Sequence, residues 1–371
     1  MIFELKKKEY TKIRPLFREL DYQLTIAAVI EGSSPGRIFV DNPQRPNSAF
    51  ICSVEGYYLA GDPHNDGFNQ GLCDYILNTI LAGDTIREND NDLVLCIHPE
   101  EWLTKFDVIF PTRPPLQLPR LYYTCTEVKV DWQNKIPTGF SIHQLDPKLL
   151  EQKNMEIPDH IPSWMRINWG SIDAFWRQGF GFCTVFNNEL VSWSLTDCVS
   201  GNFCEIGIRT KPEYRRRGLA TLTAAATVDY ALKHGYSQVG WHTNIENYGS
   251  IGVAENVGFT KTRDYIWYYC MIDEATHLAE TGLRSFIQGY FALALDDYEQ
   301  AFAKGRVSYW YYHQAAQAAA TLREKQKALN LLNQAITEGW RNLEYTQECS
   351  EFDFLHDTKD WQKIIKRMKP R

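Results

Sequence analysis

Apolar residues recur along the chain at two different spacings, and the switch between them marks out its elements. Tyr10, Ile13, Leu16, Phe17 and Leu20 share one face at helical spacing, which predicts a helix over 7–20. Short apolar runs bounded by turn residues predict strands at 23–30, 37–40, 49–54 and 57–60. A helix across 68–81 and a strand at 93–97 follow. A short helix is expected after Pro99, because Glu100 and Glu101 suit the positive end of a helix. Pro111, Pro114, Pro115 and Pro119 predict a stiff connector ahead of a strand at 121–130.

A second unit begins near Asp131. Strand 139–145 leads to helices near 147–152 and 162–177. Strands 180–187 and 189–197 are joined at Asn187-Asn188, a dipeptide suited to a hairpin turn. Strand 203–209 feeds a basic turn, and a helix is predicted from Leu219 to His234. Leu219, Leu222, Ala226 and Tyr230 form its stripe, and Gly235 stands where a C-terminal cap belongs. Strand 238–243, helix 248–256 and strand 261–271 complete the unit. Residues 272–371 are helical throughout. There Ala294, Tyr298, Ala301 and Gly305 recur 34 positions on as Ala328, Leu332, Ala335 and Gly339, with Gly282 and Ala316 in the same register. This is the period of tetratricopeptide helix pairs. The division expected is 1–130, 131–271 and 272–371.

Composition narrows the function classes. With 44% hydrophobic and 23% charged residues among 371, the chain is globular, with material for several cores. Nine scattered cysteines without a Cys-x-x-Cys pair suit reduced thiols in a cytoplasmic protein better than a disulfide frame or a metal site. A net charge of −7 argues against nucleic acid as a partner. No apolar run approaches the ~20 residues that span a membrane, and the first residues lack the apolar core of a signal peptide.

The candidate chemistry lies at Tyr214-Arg215-Arg216-Arg217-Gly218-Leu219-Ala220. Cations in the first turn of a helix oppose its dipole, unless that turn receives an anion on its free N–H groups. Gly218 would let the backbone approach a phosphate, and Ala220 keeps the next turn slim. The alternative is a solvated basic patch. Asn247, Ser250 and Gly258-Phe259 follow at fixed spacing, and Asn247 also reads as a helix N-cap.

Taken together, the run from Glu205 to Ala220 and the Asn247–Phe259 element resemble the acyl-CoA motifs of GCN5-related N-acetyltransferases. Ile30-Glu31-Gly32, Phe39-Val40-Asp41-Asn42, Tyr58-Leu59-Ala60-Gly61-Asp62 and His98-Pro99-Glu100-Glu101-Trp102 resemble the subfamily that includes the zwittermicin A resistance protein. The resemblance covers roughly residues 1–270. It implies an α/β (α+β) fold of tandem mixed-sheet acetyltransferase-like domains, and the 34-residue repeat adds an all-α tetratricopeptide-like domain after them. The first domain reads as degenerate, since its equivalent turn, Gly61 to Gly67, has two acids and no arginine.

The resemblance further implies acetyl-CoA, or another short acyl-CoA, as cosubstrate, no metal, and a primary amine of a small molecule or peptide as acceptor. Ile208 and Thr210 would hold pantetheine through the backbone. Arg215, Arg216, Arg217, Gly218, Leu219 and Ala220 would hold the pyrophosphate, and Asn247 and Ser250 would flank pantetheine. Glu205 is the first candidate base, with a strand-end salt bridge as the alternative. His242 is the second, with a hydrogen-bonded structural histidine as the alternative. The usual tyrosine acid is replaced by Ala254, which leaves Ser250 or Tyr248 as substitutes. A different class of function stays open: a catalytically weak or inactive adaptor whose helical repeats bind a protein partner or a second copy.

Overall fold

Strands from both halves of the first 271 residues join in one twelve-stranded sheet. From the first half come β1 (Phe3–Glu4), β2 (Gly36–Val40), β3 (Ser48–Ser53), β4 (Tyr57–Gly61), β5 (Asp92–His98) and β6 (Leu116–Cys125). From the second come β7 (Phe140–Gln144), β8 (Gly181–Phe186), β9 (Glu189–Ser200), β10 (Phe203–Thr210), β11 (Gln238–Asn244) and β12 (Thr260–Met271). The helices of this region are α1 (Leu24–Glu31), α2 (Asp66–Tyr75), α3 (Phe106–Ile109), α4 (Pro147–Leu150), α5 (His160–Trp169), α6 (Ile172–Gln178), α7 (Leu219–Lys233) and α8 (Tyr248–Val257). This computed structural model describes residues 1–83 and 91–368. It separates into two compact units, Met1–Tyr269 and Cys270–Arg371.

The order β2-β3-β4-α2-β5-α3-β6 recurs as β8-β9-β10-α7-β11-α8-β12, so the chain repeats one motif. In each copy one adjacent pair is parallel, β4–β5 and β10–β11, and a helix crosses between its strands. The copies exchange their last strands. β6 of the first half lies antiparallel between β11 and β12, and β12 of the second lies between β6 and β5. The aromatic run Tyr265–Tyr269 therefore has a neighbour on both sides, which removes an apolar edge that would otherwise recruit other chains. Residues 1–130 and 131–271, expected as successive domains, share this sheet.

Several expectations change. Residues 23–30, expected as a strand, form helix α1. A continuous apolar run fits a buried helix as well as a buried strand, and here the whole segment packs against β9. Gly32, at φ 82°, closes it by donating its N–H to the Ala28 and Val29 carbonyls. Residues 7–20 bury the expected face but as 3₁₀ turns with Pro15 inside. The strand expected at 121–130 runs instead over Leu116–Cys125 and includes Pro119. That residue has no N–H to give, but its carbonyl accepts from the Ile245 N–H. The helix expected at 162–177 is split by left-handed Gly170 and by the Ser171 cap of α6. The hairpin expected at Asn187-Asn188 is present, both residues having positive φ, 50° and 63°.

The unit Cys270–Arg371 is built from α9 (Glu274–Ile287), α10 (Phe291–Lys304), α11 (Tyr309–Thr321), α12 (Lys325–Glu338), α13 (Leu343–Glu348) and α14 (Lys359–Met368). α9 packs on α10 and α11 on α12. The recurring positions Ala294, Tyr298, Ala301, Ala328, Leu332 and Ala335 are all fully buried. Small residues let the paired helices approach: a Cβ on Gly282 would lie 3.0 Å from the Tyr298 ring.

Exchange of β6 and β12 makes each half incomplete without the other. Fragments 1–134 and 135–371, cut between β6 and β7, should co-purify when co-expressed. Expressed singly, fragment 1–134 should lack cooperative urea unfolding.

Candidate active site

β10 and β11 pair only where Phe203, Cys204 and Glu205 face Gln238, Val239 and Gly240. Beyond Glu205, β10 stays with β9 as far as Thr210, while β11 continues against β6. The two parallel strands thus part, and a cavity of about 500 Å³ opens between them. A bulge marks the point of parting. Glu205 faces Cys198 and Ile206 faces Thr196, which leaves Asp197 as the extra residue. Bulges re-aim side chains in this way beside active sites. Asp197 lines the cavity together with Glu205, Ile208 and Arg209 of β10, and Trp241, His242 and Ser250 across from them.

Glu205 and His242, both candidate bases, meet. Glu205 Oε1 lies 3.1 Å from His242 Nε2 and receives the Leu24 N–H at 3.2 Å, while the Cys198 thiol points at Oε2 from 3.6 Å. The carboxylate is 6% exposed and bonded to an imidazole, so it is not a strand-end pair with a lysine or arginine. His242 Nδ1 lies 2.7 Å from the Tyr265 hydroxyl, and Tyr122 stacks on the imidazole with centroids 4.5 Å apart. Gly240 makes room for this cluster: a Cβ there would sit 2.8 Å from Glu205 Cγ and 3.1 Å from the Tyr122 hydroxyl. Burial raises the pKa of both tyrosines, so both hydroxyls keep their protons.

Past Thr210 the chain enters the basic turn. Lys211 is held by Glu156 and Glu189, and the Tyr214 hydroxyl donates to Glu189 at 2.8 Å. Arg215 Nε donates to the Thr210 carbonyl at 3.2 Å. Arg216 and Gly218 take left-handed backbone, φ 63° and 76°, and Gly218 is the N-cap of α7. It brings no side chain to that end, and a Cβ built on it would have nothing within 4 Å. Arg215, Arg216 and Arg217 are exposed, whereas Leu219 is buried in the core. Ala220 follows in the first turn of α7. Residue 65 makes the contrast: in the first half, Asn65 caps α2 with its own side chain, bonded to the Phe68 N–H.

Asn247 caps α8 by accepting the Ser250 N–H at 3.1 Å, as its N-cap reading expects. Ser250 Oγ in turn accepts from Trp241 Nε1 at 2.9 Å. Ala254 is fully buried on the inner face of α8, and Tyr248, at its start, is 79% exposed. Of the expected residues, Glu205, Ile208, His242 and Ser250 line the one cavity. Thr210 and the 215–220 turn lie at the far end of β10. Sequence reasoning missed Asp197, Tyr122 and Tyr265. Asp197 had a legible signal, a charge inside an apolar strand run. The two tyrosines had none, because their place depends on the exchanged strands.

Asp197 Oδ1 accepts from Trp164 Nε1 at 2.6 Å and from Asn168 Nδ2 at 2.9 Å. Burial, reinforced by the charges of Glu55 and Glu205, pushes its pKa well above the usual carboxylate range despite those two donors. The folded state therefore holds a proton that the unfolded state releases above pH ~4, and stability falls as pH rises from there toward the raised pKa. Asp197→Asn keeps both acceptor bonds and removes this cost. Its Tm should exceed that of the parent at pH 8 by about 2 °C or more, and the difference should vanish below pH ~4.

Comparison with known proteins agrees with this geometry. The family model described as GNAT acetyltransferase matches residues 14–268, nearly the whole of the first unit. The uncharacterised N-acetyltransferase YdfB of Bacillus subtilis (strain 168) is 23% identical over 269 residues, 72% of this chain and 97% of that protein. A crystal structure of a GCN5-related N-acetyltransferase-like protein from Streptococcus suis 89/1591 shares the fold. It has a TM-score of 0.52 and 20% identity, over 71% of this chain and 98% of that one. A tandem GNAT protein from the clavulanic acid biosynthesis pathway aligns with 73% of this chain and 99% of its own, at a TM-score of 0.47 and 12% identity. With parted strands, an uncapped helix end and a model match across the unit that holds them, the chain belongs to the GNAT acetyltransferase family of acyltransferases.

Proposed function

We propose that the protein is an acetyl-CoA-dependent N-acetyltransferase that acylates a primary amine of a small molecule or peptide by direct attack. The observation that carries this reading is the parting of β10 from β11 beside a carboxylate–imidazole pair, with the uncapped N-terminus of α7 at the end of β10. The residues fit acetyl-CoA. Ile208 and Thr210 lie on the part of β10 that has left β11, where their backbone can bond pantetheine amides. The 215–220 turn offers an anion the first N–H groups of a fifteen-residue helix with three exposed arginines beside them. Asn247 and Ser250 stand at the start of α8, near the opposite wall. When bound, the cosubstrate supplies an activated thioester carbonyl.

The chain supplies the proton handling. Glu205 takes a proton from the incoming ammonium, directly or through a water, and this frees the nitrogen lone pair. The Ser250 hydroxyl hydrogen is not used in its bond with Trp241 and is available to the departing thiol, in place of the tyrosine absent at Ala254. Because Asp197 holds its proton, Glu55 and Glu205 balance Arg120 and Arg209 around the cavity, which suits an acceptor of modest size and low net charge.

We read the first half as a copy that no longer binds CoA, supported by the Asn65 side-chain cap and by the acids Asp62 and Asp66 in its turn. We read residues 272–371 as tetratricopeptide-like pairs for a protein partner or a second copy. Support comes from the buried 34-residue repeat and from exposed Ile287, Tyr290 and Leu293. Light scattering of the full chain checks self-association.

Acetyl-CoA at a hundredfold excess over its Kd should raise Tm by roughly 5–10 °C. Thiol release should then appear with one of a panel of primary amines that includes butane-1,4-diamine, glycinamide and an aminoglycoside. Arg217→Glu with Gly218→Ala should abolish the acetyl-CoA shift while the ligand-free protein stays folded. Glu205→Gln should lower kcat about 10²-fold or more with acetyl-CoA affinity retained. An unchanged acetyl-CoA shift in the double variant would refute the placement of the pyrophosphate.

A further inference from the structure

We propose that Tyr265 is a positioning residue that fixes the tautomer of His242 and, through it, the hydrogen bond that holds the Glu205 carboxylate in the cavity. The inference rests on the role given above to Glu205. A carboxylate can only accept, so the 3.1 Å contact with Glu205 Oε1 requires the hydrogen to be on His242 Nε2. A neutral imidazole then has its lone pair on Nδ1, where the Tyr265 hydroxyl meets it at 2.7 Å as donor. Burial keeps that hydroxyl protonated. Tyr122 stacks on the ring at an interplanar angle of 20°, so the imidazole cannot turn over without leaving this face.

The carboxylate is held from a second side. Leu24 is the first residue of the eight-residue helix α1, so the N–H that reaches Glu205 brings the positive end of a helix with it. Three elements from outside the parting strands thus converge on one pair: α1 on Glu205, β6 through Tyr122, and β12 through Tyr265. Two of the three belong to the first half of the chain. The first half thereby gains a task that does not need a CoA site of its own.

The other titratable or charged groups near the pair include Cys198 and Asp197 on β9, Cys204 and Arg209 on β10, Tyr58 on β4, Cys96 on β5, Arg120 and Tyr122 on β6, and Tyr22 and Glu55. Burial raises the pKa of Cys198, Tyr58 and Tyr122, which therefore stay neutral donors. In the reaction a substrate N–H proton passes to the Glu205 carboxylate and the nitrogen keeps its electron pair. The Nε2 hydrogen stays on His242. Without the Tyr265 hydroxyl, the tautomer protonated on Nδ1 becomes accessible. Its Nε2 lone pair would face Glu205, so the carboxylate would lose that donor and the contact that holds it in place.

The test uses the full chain labelled with ¹⁵N-histidine, with His242 assigned by its loss in His242→Gln. Long-range ¹H–¹⁵N spectra of the parent should show a single neutral tautomer protonated at Nε2, and Tyr265→Phe should show both. On the best amine of the panel, Tyr265→Phe should lower kcat/KM about tenfold at pH 7. The loss should fall on kcat, with the KM for the amine and the acetyl-CoA affinity unchanged. An unshifted tautomer and an unchanged kcat in Tyr265→Phe, alongside an inactive Glu205→Gln, would overturn the role of Tyr265 and leave that of Glu205 standing. Full activity in Glu205→Gln, or no turnover with any amine, would instead overturn the parent reading.

Discussion

The ladder between β10 and β11 stops at Glu205 and Gly240, and the rest of the site is arranged around that interruption. Backbone donors and acceptors that leave one ladder must find partners elsewhere. On one side β9 supplies them as far as Thr210; on the other β6 supplies them through Asn244. Each parted strand thus keeps one neighbour, while the edges they turn to each other are free for a ligand. The bulge at Glu205/Ile206 sets where this happens, and it also turns Asp197 into the opening.

Exchange of the last strands follows from the same need. β11 would be an edge once it left β10, and β6 covers it with a strand made more than a hundred residues earlier. β12 then lies on β6 and is itself covered by β5. The exchange brings Tyr122 and Tyr265 to the two sides of His242. It also fuses the halves into one sheet, so side chains of the first half stand beside the cavity of the second.

The electrostatics of the cavity reflect burial more than charge count. Asp197 keeps two good hydrogen bonds and still has a raised pKa, because desolvation and the neighbouring Glu55 and Glu205 oppose its ionisation. Glu205 sits close by with a different set of donors: a helix N-terminus, an imidazole and a thiol. The two carboxylates of one cavity thus sit among different hydrogen-bond donors.

Local signals were legible where a few neighbouring residues decide the backbone. The Asn187-Asn188 turn, the Gly218 opening of α7 and the Asn247 cap of α8 each needed only residues within about four positions, and the sequence by itself determined them. The 34-residue repeat was legible for the same reason, since each helix pair buries its own small residues. Residues 23–30 were misread as a strand because a continuous apolar run carries no period, and only packing against β9 makes it a helix. The pair at the heart of the site was named residue by residue, yet what surrounds it was not. Leu24 and Glu205 are 181 positions apart, and Tyr122 and Tyr265 reach His242 only through strands exchanged between halves. Such contacts depend on which strand lies beside which, and that is decided by burying edges and faces of the whole sheet, which only the tertiary structure does.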